Sequence, residues 1–297
     1  MTHALPLSTK RLPRPLQCLS LGAVFSLLCA GAQAASTPQP GAVFKDCKNC
    51  PEMVVLPAGS FVMGVPDDEV GRQPDEGPMH TVTFNKAFAI SRFQVQAGEL
   101  DAYIRETGVK IADGDTRPGR LCKASKPTYK QGPTQPAVCV SYFDVQEYAK
   151  WLSKKTGHTY RMLSEAEREY AARAGSTGPF PFPFDEGEEY SIAKHANTYG
   201  PKDGYSYSSP AGSYPPNAFG VYDMHGNVYE WVADCWHPNY EGAPSDGSAW
   251  MTGKCRTRQM RGNDWGEAPI FSRSGNRNDR APDIRGDFLG FRVAREL

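Results

Sequence analysis

The sequence is short of the residues that build redox-metal sites. No cysteine follows Cys255, and the 297 residues include only six histidines. The histidines share no spacing typical of a ligand set, which excludes a three-histidine iron centre, and no redox-cofactor motif is present. They are His3, His80, His158, His195, His225 and His237.

The sequence also lacks an excess of charge of either sign. Lys and Arg total 33, and Asp and Glu also total 33. Because this balance of charge does not point to a polyanionic partner, we expect neither nucleic acid nor an anionic membrane as a partner. No internal repeat or low-complexity tract occurs. Gly, Pro and aromatic residues are plentiful, which predicts a loop-rich fold that still buries a core.

Residues 1–35 have the parts of a secretory signal peptide. Basic residues precede an apolar stretch at 16–30, and small residues at 32–34 suit cleavage before Ala35. A membrane anchor is the alternative, but the apolar stretch is too short to span a bilayer comfortably. Cys29 follows Leu28, which is not the small residue that a lipidation site requires. We therefore predict a periplasmic protein with no membrane anchor after cleavage.

Six of the eight cysteines remain after cleavage, and an even number in an exported chain indicates disulfides. Short separations favour Cys47–Cys50, Cys122–Cys139 and Cys235–Cys255. The first pair lies in a predicted entry segment at 36–50, ahead of one domain at 51–297. A redox pair or half a zinc site is the alternative for this spacing, but no thioredoxin-like context or second CxxC occurs.

Periodicity and turn residues predict three helices and a few short strands. The helices cover about 95–107, ending at Gly108; Ser141 to Gly157, with Asp144 completing a capping box; and Ser164 to Gly175, with Glu167 in the same role. Strands are predicted at 54–56, 61–64, 80–84 and 290–293. No helix is predicted after residue 175.

Four segments together resemble the formylglycine-generating-enzyme, or sulfatase-modifying-factor, family. They are residues 57–64 (PAGSFVMG), 160–175 (YRMLSEAE leading to AARAG), 215–231 (PPNAFGVYDMHGNVYEW) and 290–294 (GFRVA). They occur in family order and span roughly residues 50–297. The resemblance implies an α+β fold of the C-type-lectin-like kind, with few regular elements. This scaffold carries several functions, so function must be argued from the site.

The resemblance also implies structural calcium. The first site would use Asp223, Glu230 and the carbonyls of Gly226 and Val228, and the second Asn197, Asp203 and the carbonyls of Thr198 and Tyr205. Carboxylate, amide and carbonyl oxygens are the ligands that calcium prefers. The alternative is that these acids only cap turns.

The sequence departs from the family where the copper cysteines would stand. The segment is Gly262-Asn263-Asp264-Trp265-Gly266-Glu267, so Glu267 occupies the position of the first cysteine. Copper(I) selects thiolates, and none is available here, so we expect no copper. Neighbouring carboxylates raise the pKa of one of them, which would suit Glu267 and Asp264 to acid–base catalysis. Trp265 and Tyr229 would supply aromatic walls.

Arginines near this segment have two possible roles. They would either neutralise the acids and hold an anionic substrate, or tie down a loop-rich C-terminus through ion pairs. The residues concerned are Arg261, Arg273, Arg277 and Arg280.

Two functions remain open. The first is an enzyme, similar to the periplasmic proteins that finish the siderophore pyoverdine, which would oxidise a peptide-borne dihydroquinoline chromophore without a metal–cysteine site. The second is a non-catalytic, calcium-stabilised binding module of the cell envelope. Buried carboxylates with strained partners would favour the enzyme, and exposed or fully bridged ones the module.

We predict that the purified protein does not convert the cysteine of a sulfatase peptide to formylglycine, with or without copper. The reason is that no cysteine follows Cys255. Peptide mass after incubation measures the conversion. Copper-stimulated loss of the thiol mass would contradict the prediction.

Overall fold

Capping residues set the bounds of three α-helices in this computed structural model, which describes Met1 and residues 38–114, 122–184 and 191–297. The helices are α1 (Ala97–Thr107), α2 (Tyr142–Thr156) and α3 (Glu165–Arg173). Ser141 and Ser164 accept the backbone N–H of Asp144 and Glu167, respectively, as the predicted capping boxes require. Gly108 and Gly157 end α1 and α2 in the left-handed conformation.

Thirteen short strands carry the rest of the regular structure in the described residues. They are β1 (Val43–Phe44), β2 (Met53–Leu56), β3 (Gly59–Met63), β4 (His80–Phe84), β5 (Phe88–Ser91), β6 (Cys122–Lys123), β7 (Lys126–Pro127), β8 (Tyr160–Met162), β9 (Tyr229–Cys235), β10 (Arg258–Arg261), β11 (Asn278–Arg280), β12 (Leu289–Phe291) and β13 (Val293–Arg295). With three helices, short strands and long connections, the predicted loop-rich α+β class is confirmed.

The strands form two main sheets and two hairpins. The five-stranded sheet has the order β1-β2-β5-β13-β8, and the four-stranded sheet has the order β11-β10-β9-β12. The hairpins are β3-β4 and β6-β7. β12 runs parallel to β9, whereas β13 is antiparallel to both β5 and β8. The C-terminal chain therefore passes from one main sheet to the other at Arg292.

Several predicted bounds need correction. The predicted strand at 290–293 is two strands, because the segments before and after Arg292 pair in different sheets. Helix α3 ends at Ala174 in the left-handed conformation, one residue before the predicted Gly175. The strand predicted at 61–64 is Gly59–Met63. In the described residues after 175, the helical turns are 3-10 and span Ser191–Lys194, Pro201–Asp203 and Pro269–Ser272.

Helix α3 is buried on every face, although it carries five charged residues. Arg168 donates from Nε to Glu230 on β9 at 3.0 Å, and Arg292 donates to the other oxygen of Glu230, also at 3.0 Å. All three side chains are at most 2% exposed. Buried charges are tolerated only when they are paired in this way.

Two further glutamates of α3 extend this buried ion network. Glu165 accepts from Arg261 on β10 and from Arg277, both at 2.8 Å. Glu169 accepts from Arg173 and from Arg261. Burial works against the charged form of Glu169, yet Arg173 and Arg261 together hold its pKa below the usual value. The network thus links α3 to β9, β10 and the C-terminal loops.

Disulfides close the three short loops that the sequence favoured. Cys47–Cys50, Cys122–Cys139 and Cys235–Cys255 all form. Their presence fits an oxidising compartment. None of the described helices is long and apolar enough to cross a membrane. The predicted signal peptide, Met1 apart, lies outside the described residues.

We predict that Glu169→Gln lowers the free energy of unfolding by about 3–5 kcal/mol, because it removes the buried carboxylate that pairs with Arg173 and provides one of the two carboxylate partners of Arg261. Urea unfolding followed by circular dichroism measures the change. Because the pKa of Glu169 is lowered in the folded state, its stabilising effect is lost as the pH falls through that pKa.

Glu147→Gln on α2 is the matched control. Glu147 pairs with Lys150 at the exposed surface, so its loss should cost less than about 1 kcal/mol. Equal effects of the two substitutions would contradict the assignment of the buried network as a major stabilising element.

Candidate functional site

The segment that departs from the family begins where β10 ends. Gly262 and Asn263 both adopt positive φ, at 103° and 67°. A Cβ at Gly262 would collide with the guanidinium of Arg168, so only glycine fits this turn. Trp265 N–H then donates to the carbonyl of Asn227 at 3.1 Å, and the carbonyl of Glu267 accepts from Tyr199 N–H at 2.9 Å. The loop is held at both ends.

Glu267 lies on the wall of a cleft of about 480 Å³. The lining comes from three distant parts of the chain: Gln73, Pro74, Asp75, Tyr229, Trp236, Pro238, Glu267, Phe271, Asn276, Arg277, Asn278 and Asp279. Three carboxylates therefore face the cleft together with aromatic rings. A cleft of this size that combines apolar walls with a few polar groups is the usual form of a small-molecule site.

Asp264 and Trp265 lie behind the cleft wall. Asp264 is buried, and its Oδ1 accepts from the N–H of Gly266 at 2.6 Å. The ring of Trp265 packs edge-on against Tyr207, with centroids 5.0 Å apart, and also contacts Tyr129. Of the four predicted catalytic residues, Glu267 and Tyr229 line the cleft, whereas Asp264 and Trp265 support the loop.

Glu267 is half-buried and makes no ion pair within the part of the chain that the structure describes. Tyr229 is 3% exposed, and Asn278 donates from Nδ2 to its hydroxyl at 3.3 Å. Burial raises the pKa of Tyr229 well above its usual range, and the charges of Asp264 and Glu267 raise it further. The phenol of Tyr229 therefore keeps its proton.

The arginines mainly tie the structure together. Arg261 and Arg277 are committed to Glu165, and Arg273 pairs with Glu69 and Glu76. Arg280 is exposed and donates to Asn278 Oδ1 and to the carbonyl of Asp279. None of the four makes a salt bridge to Glu267 among the described residues. Of the two roles considered for these arginines, Arg261, Arg273 and Arg277 have the second one, because they form ion pairs that hold the structure together.

The oxygens of the first predicted calcium site converge on one point. Gln94 Nε2 lies 3.4 Å from the carbonyl oxygen of Asp223, 3.3 Å from that of Gly226, 3.1 Å from that of Val228 and 3.0 Å from Glu230 Oε1. An amide group has two hydrogens and cannot serve four acceptors well. Gln94 Oε1 is buried without a partner, as is Asp223 Oδ1.

This set of oxygens fits a hard cation, with one restriction. Glu230 is already paired with Arg168 and Arg292, which reduces the negative charge available to a metal ion. Burial raises the pKa of Asp223 to about 6, against the hydrogen bond from Gly212 N–H. No cluster of three or more His, Cys, Asp or Glu side chains placed to hold a metal ion occurs in the described residues, so main-chain oxygens would provide most ligands.

The second predicted calcium site has a different geometry. Asp203 accepts from the N–H groups of Thr198 and Tyr205, both at 2.9 Å, which is the turn-capping arrangement. Asn197 Oδ1 is buried without a partner, while its Nδ2 donates to the carbonyl of Tyr207. Asp203 therefore caps a turn, and Asn197 Oδ1 is the one side-chain oxygen of this predicted site that accepts no hydrogen bond from the described residues.

Sequence reasoning did not find Asp75, Trp236 or Asn278 on the cleft wall, or Gln94 among the converging oxygens. All four lie outside the quoted motifs, and the tertiary fold brings them to these positions. The desolvation that raises the pKa of Asp75 outweighs the attraction of Arg277. No local sequence pattern marks any of the four.

Comparison with known protein families gives a match over most of the chain. A family model described as the sulfatase-modifying factor enzyme 1-like domain matches residues 39–297. The chain belongs to this family. The formylglycine-generating enzyme of Mus musculus is 26% identical over 302 residues, covering 87% of this chain and 77% of the mouse protein. That of Streptomyces coelicolor is 27% identical, covering 89% of this chain and 94% of its own.

Solved structures of the sulfatase-modifying-factor fold agree with this placement. The structure of PvdO from Pseudomonas aeruginosa matches with a TM-score of 0.86 and 78% sequence identity, covering 88% of this chain and 100% of PvdO. Treponema denticola variable protein 1 matches with a TM-score of 0.63 at 19% identity, which shows the fold alone.

We propose that this family member binds calcium at the oxygens around Gln94, and we predict that calcium raises its melting temperature. A ligand that binds only the folded state at a hundred times its Kd adds about 2.7 kcal/mol. Thermal melts with chelator and with added calcium measure the shift. Asp223→Asn should reduce it, whereas Asp246→Asn at the exposed surface should not.

An unchanged melt, together with the absence of calcium in elemental analysis of the purified protein, would contradict the proposed site around Gln94 and the second site predicted from the sequence. Asp203→Asn separates them, because it affects the second site only. If that substitution lowers stability equally in chelator and in calcium, Asp203 acts solely as a cap.

Proposed function

We propose that the protein is an exported maturation enzyme that oxidises the dihydroquinoline chromophore of a pyoverdine-type siderophore peptide. The observation that carries the proposal is a carboxylate, Glu267, free of ion pairs among the described residues and set in an aromatic-walled cleft, where other family members have a copper-binding cysteine. The 78% identity to PvdO supports the same placement within the family.

The proposed reaction removes two hydrogens from the reduced ring. Glu267 accepts a proton from the ring, which raises the electron density of the chromophore. The ring then gives two electrons to dioxygen, releases its second proton and forms one new double bond. Dioxygen takes up the two electrons and both protons, the one held by Glu267 and the one released from the ring, and becomes hydrogen peroxide, which returns Glu267 to the carboxylate. The substrate supplies its own electron chemistry in this scheme, and the protein positions it and moves the proton.

The cleft has features that suit such a substrate. Tyr229, Trp236 and Phe271 line the cleft, so a flat ring bound there would contact aromatic side chains. Asp264 holds the loop of Glu267 through Gly266 N–H, so it orients the base from behind. Export through a signal peptide at 1–35 to the periplasm belongs to the same proposal, and the disulfides support it.

We predict that Glu267→Gln abolishes maturation of the substrate. The amide keeps the size of the side chain but cannot accept the proton, and loss of a positioned base typically costs about a hundredfold to ten-thousandfold in rate. Complementation of a strain that lacks the protein, with chromophore fluorescence and product mass as readouts, measures the effect. Asp264→Asn should reduce the rate less.

Glu241→Gln provides the matched control, since Glu241 is exposed and does not line the cleft. Both variants should keep the melting temperature of the unaltered protein. If Glu267→Gln matures substrate at the normal rate, Glu267 is not the base, and the non-catalytic binding module becomes the better description.

A further inference from the structure

The amide of Asn278 has a fixed orientation on the cleft wall. Its Oδ1 accepts from Asp279 N–H and from Arg280 Nη1, both at 2.9 Å. Two donors meet at this atom, so it is the oxygen, and the other terminal atom is the nitrogen. Exchanging the two would put N–H against N–H on both contacts.

This orientation decides what the hydroxyl of Tyr229 can do. Asn278 Nδ2 donates to the Tyr229 oxygen at 3.3 Å, so the hydroxyl accepts on that side. Its own hydrogen must therefore point elsewhere, and no acceptor for it occurs among the residues that the structure describes. Tyr229, Asn278 and Glu267 line the same cleft. Because Tyr229 lines the cleft, the hydrogen of its hydroxyl is available to a ligand that binds there.

Other donors on the cleft wall are already engaged. Arg277 donates to Glu165 and to the carbonyls of Asp75 and His237. Asn276 Nδ2 donates to Glu76 Oε1 at 3.2 Å. Burial keeps the phenol of Tyr229 protonated, because its pKa lies well above the usual range. Tyr229 is therefore a neutral donor on the cleft wall whose hydrogen has no acceptor among the described residues.

We propose that Tyr229 donates a hydrogen bond to an acceptor oxygen of the substrate, of the catechol or carbonyl class, and that Asn278 is the positioning residue that fixes Tyr229 in this role. The proposal rests on the proposed function for its substrate, but it assigns the tyrosine a polar task in addition to its place in the aromatic wall. In this proposal the cleft has two functional groups that contact different atoms of one substrate ring. Glu267 is the base, and Tyr229 is the hydrogen-bond donor.

Ligand binding tests the proposal separately from turnover. The probe is 4-nitrocatechol, and the control ligand is 1,2-dimethyl-4-nitrobenzene, which has a similar shape but no ring oxygens. Titration calorimetry should show the unaltered protein binding the catechol about tenfold more tightly than the control, as expected for one hydrogen bond of about 1.4 kcal/mol. Glu267→Gln should bind the catechol too, so a failure of the proposed oxidation leaves this readout intact.

Three variants identify the positioning role. Tyr229→Phe should remove the preference for the catechol. Asn278→Asp should do the same, because a carboxylate accepts from the tyrosine and turns its hydrogen away from the cleft. In the Tyr229→Phe background, Asn278→Asp should change binding less than twofold, since its effect passes through the hydroxyl. Asn85→Asp, at the exposed surface, is the matched control and should bind like the unaltered protein.

The proposal is overturned if the unaltered protein binds both ligands equally or binds neither. It is also overturned if Asn278→Asp weakens catechol binding by the same factor with and without the Tyr229 hydroxyl, because Asn278 would then act independently. Melting temperatures within a few degrees of the unaltered protein confirm that the variants are folded.

Discussion

The carboxylate of Glu230, buried between Arg168 and Arg292, is the interaction on which the rest of the structure depends. It joins α3, the four-stranded sheet and the crossing from β12 to β13 at one point. Burial alone would raise the pKa of Glu230, but the two guanidinium groups and Gln94 hold it below the usual value. Desolvating three charges is costly, and only full pairing offsets the cost. None of the three residues can therefore change independently of the others.

This buried network also positions the chemistry. Arg261 ends β10 with its guanidinium between Glu165 and Glu169, and the chain turns at Gly262 against the side chain of Arg168. Glu267 lies five residues after Gly262 in sequence, so the buried ion network helps to set its position in the cleft. Cleft residues on loops can then differ between family members while the scaffold beneath them remains the same.

Local patterns allowed much of the fold to be predicted. Capping boxes at Ser141 and Ser164 depend on residues three apart, and short cysteine separations favoured the bridges that form. Strands β5 and β9 escaped prediction, because nearly every residue in them is buried and no alternation marks them. Glu267 and Tyr229 were found through the family motif, whereas Asp75 and Asn278 reach the cleft only through contacts between distant segments.

The place of β13 has a consequence for folding kinetics. This strand lies inside the five-stranded sheet, and just before it Arg292 donates to the carbonyl of Ser91, a residue 201 positions earlier. When such distant segments pair, the chain loses the entropy of closing a long loop before the contacts that stabilise the pairing can form. The five-stranded sheet therefore cannot be completed until the C-terminal segment that contains β13 is available. A polypeptide with this topology stays unfolded for longer than a helical bundle of the same size, which is the state in which a chain can be threaded through a narrow channel.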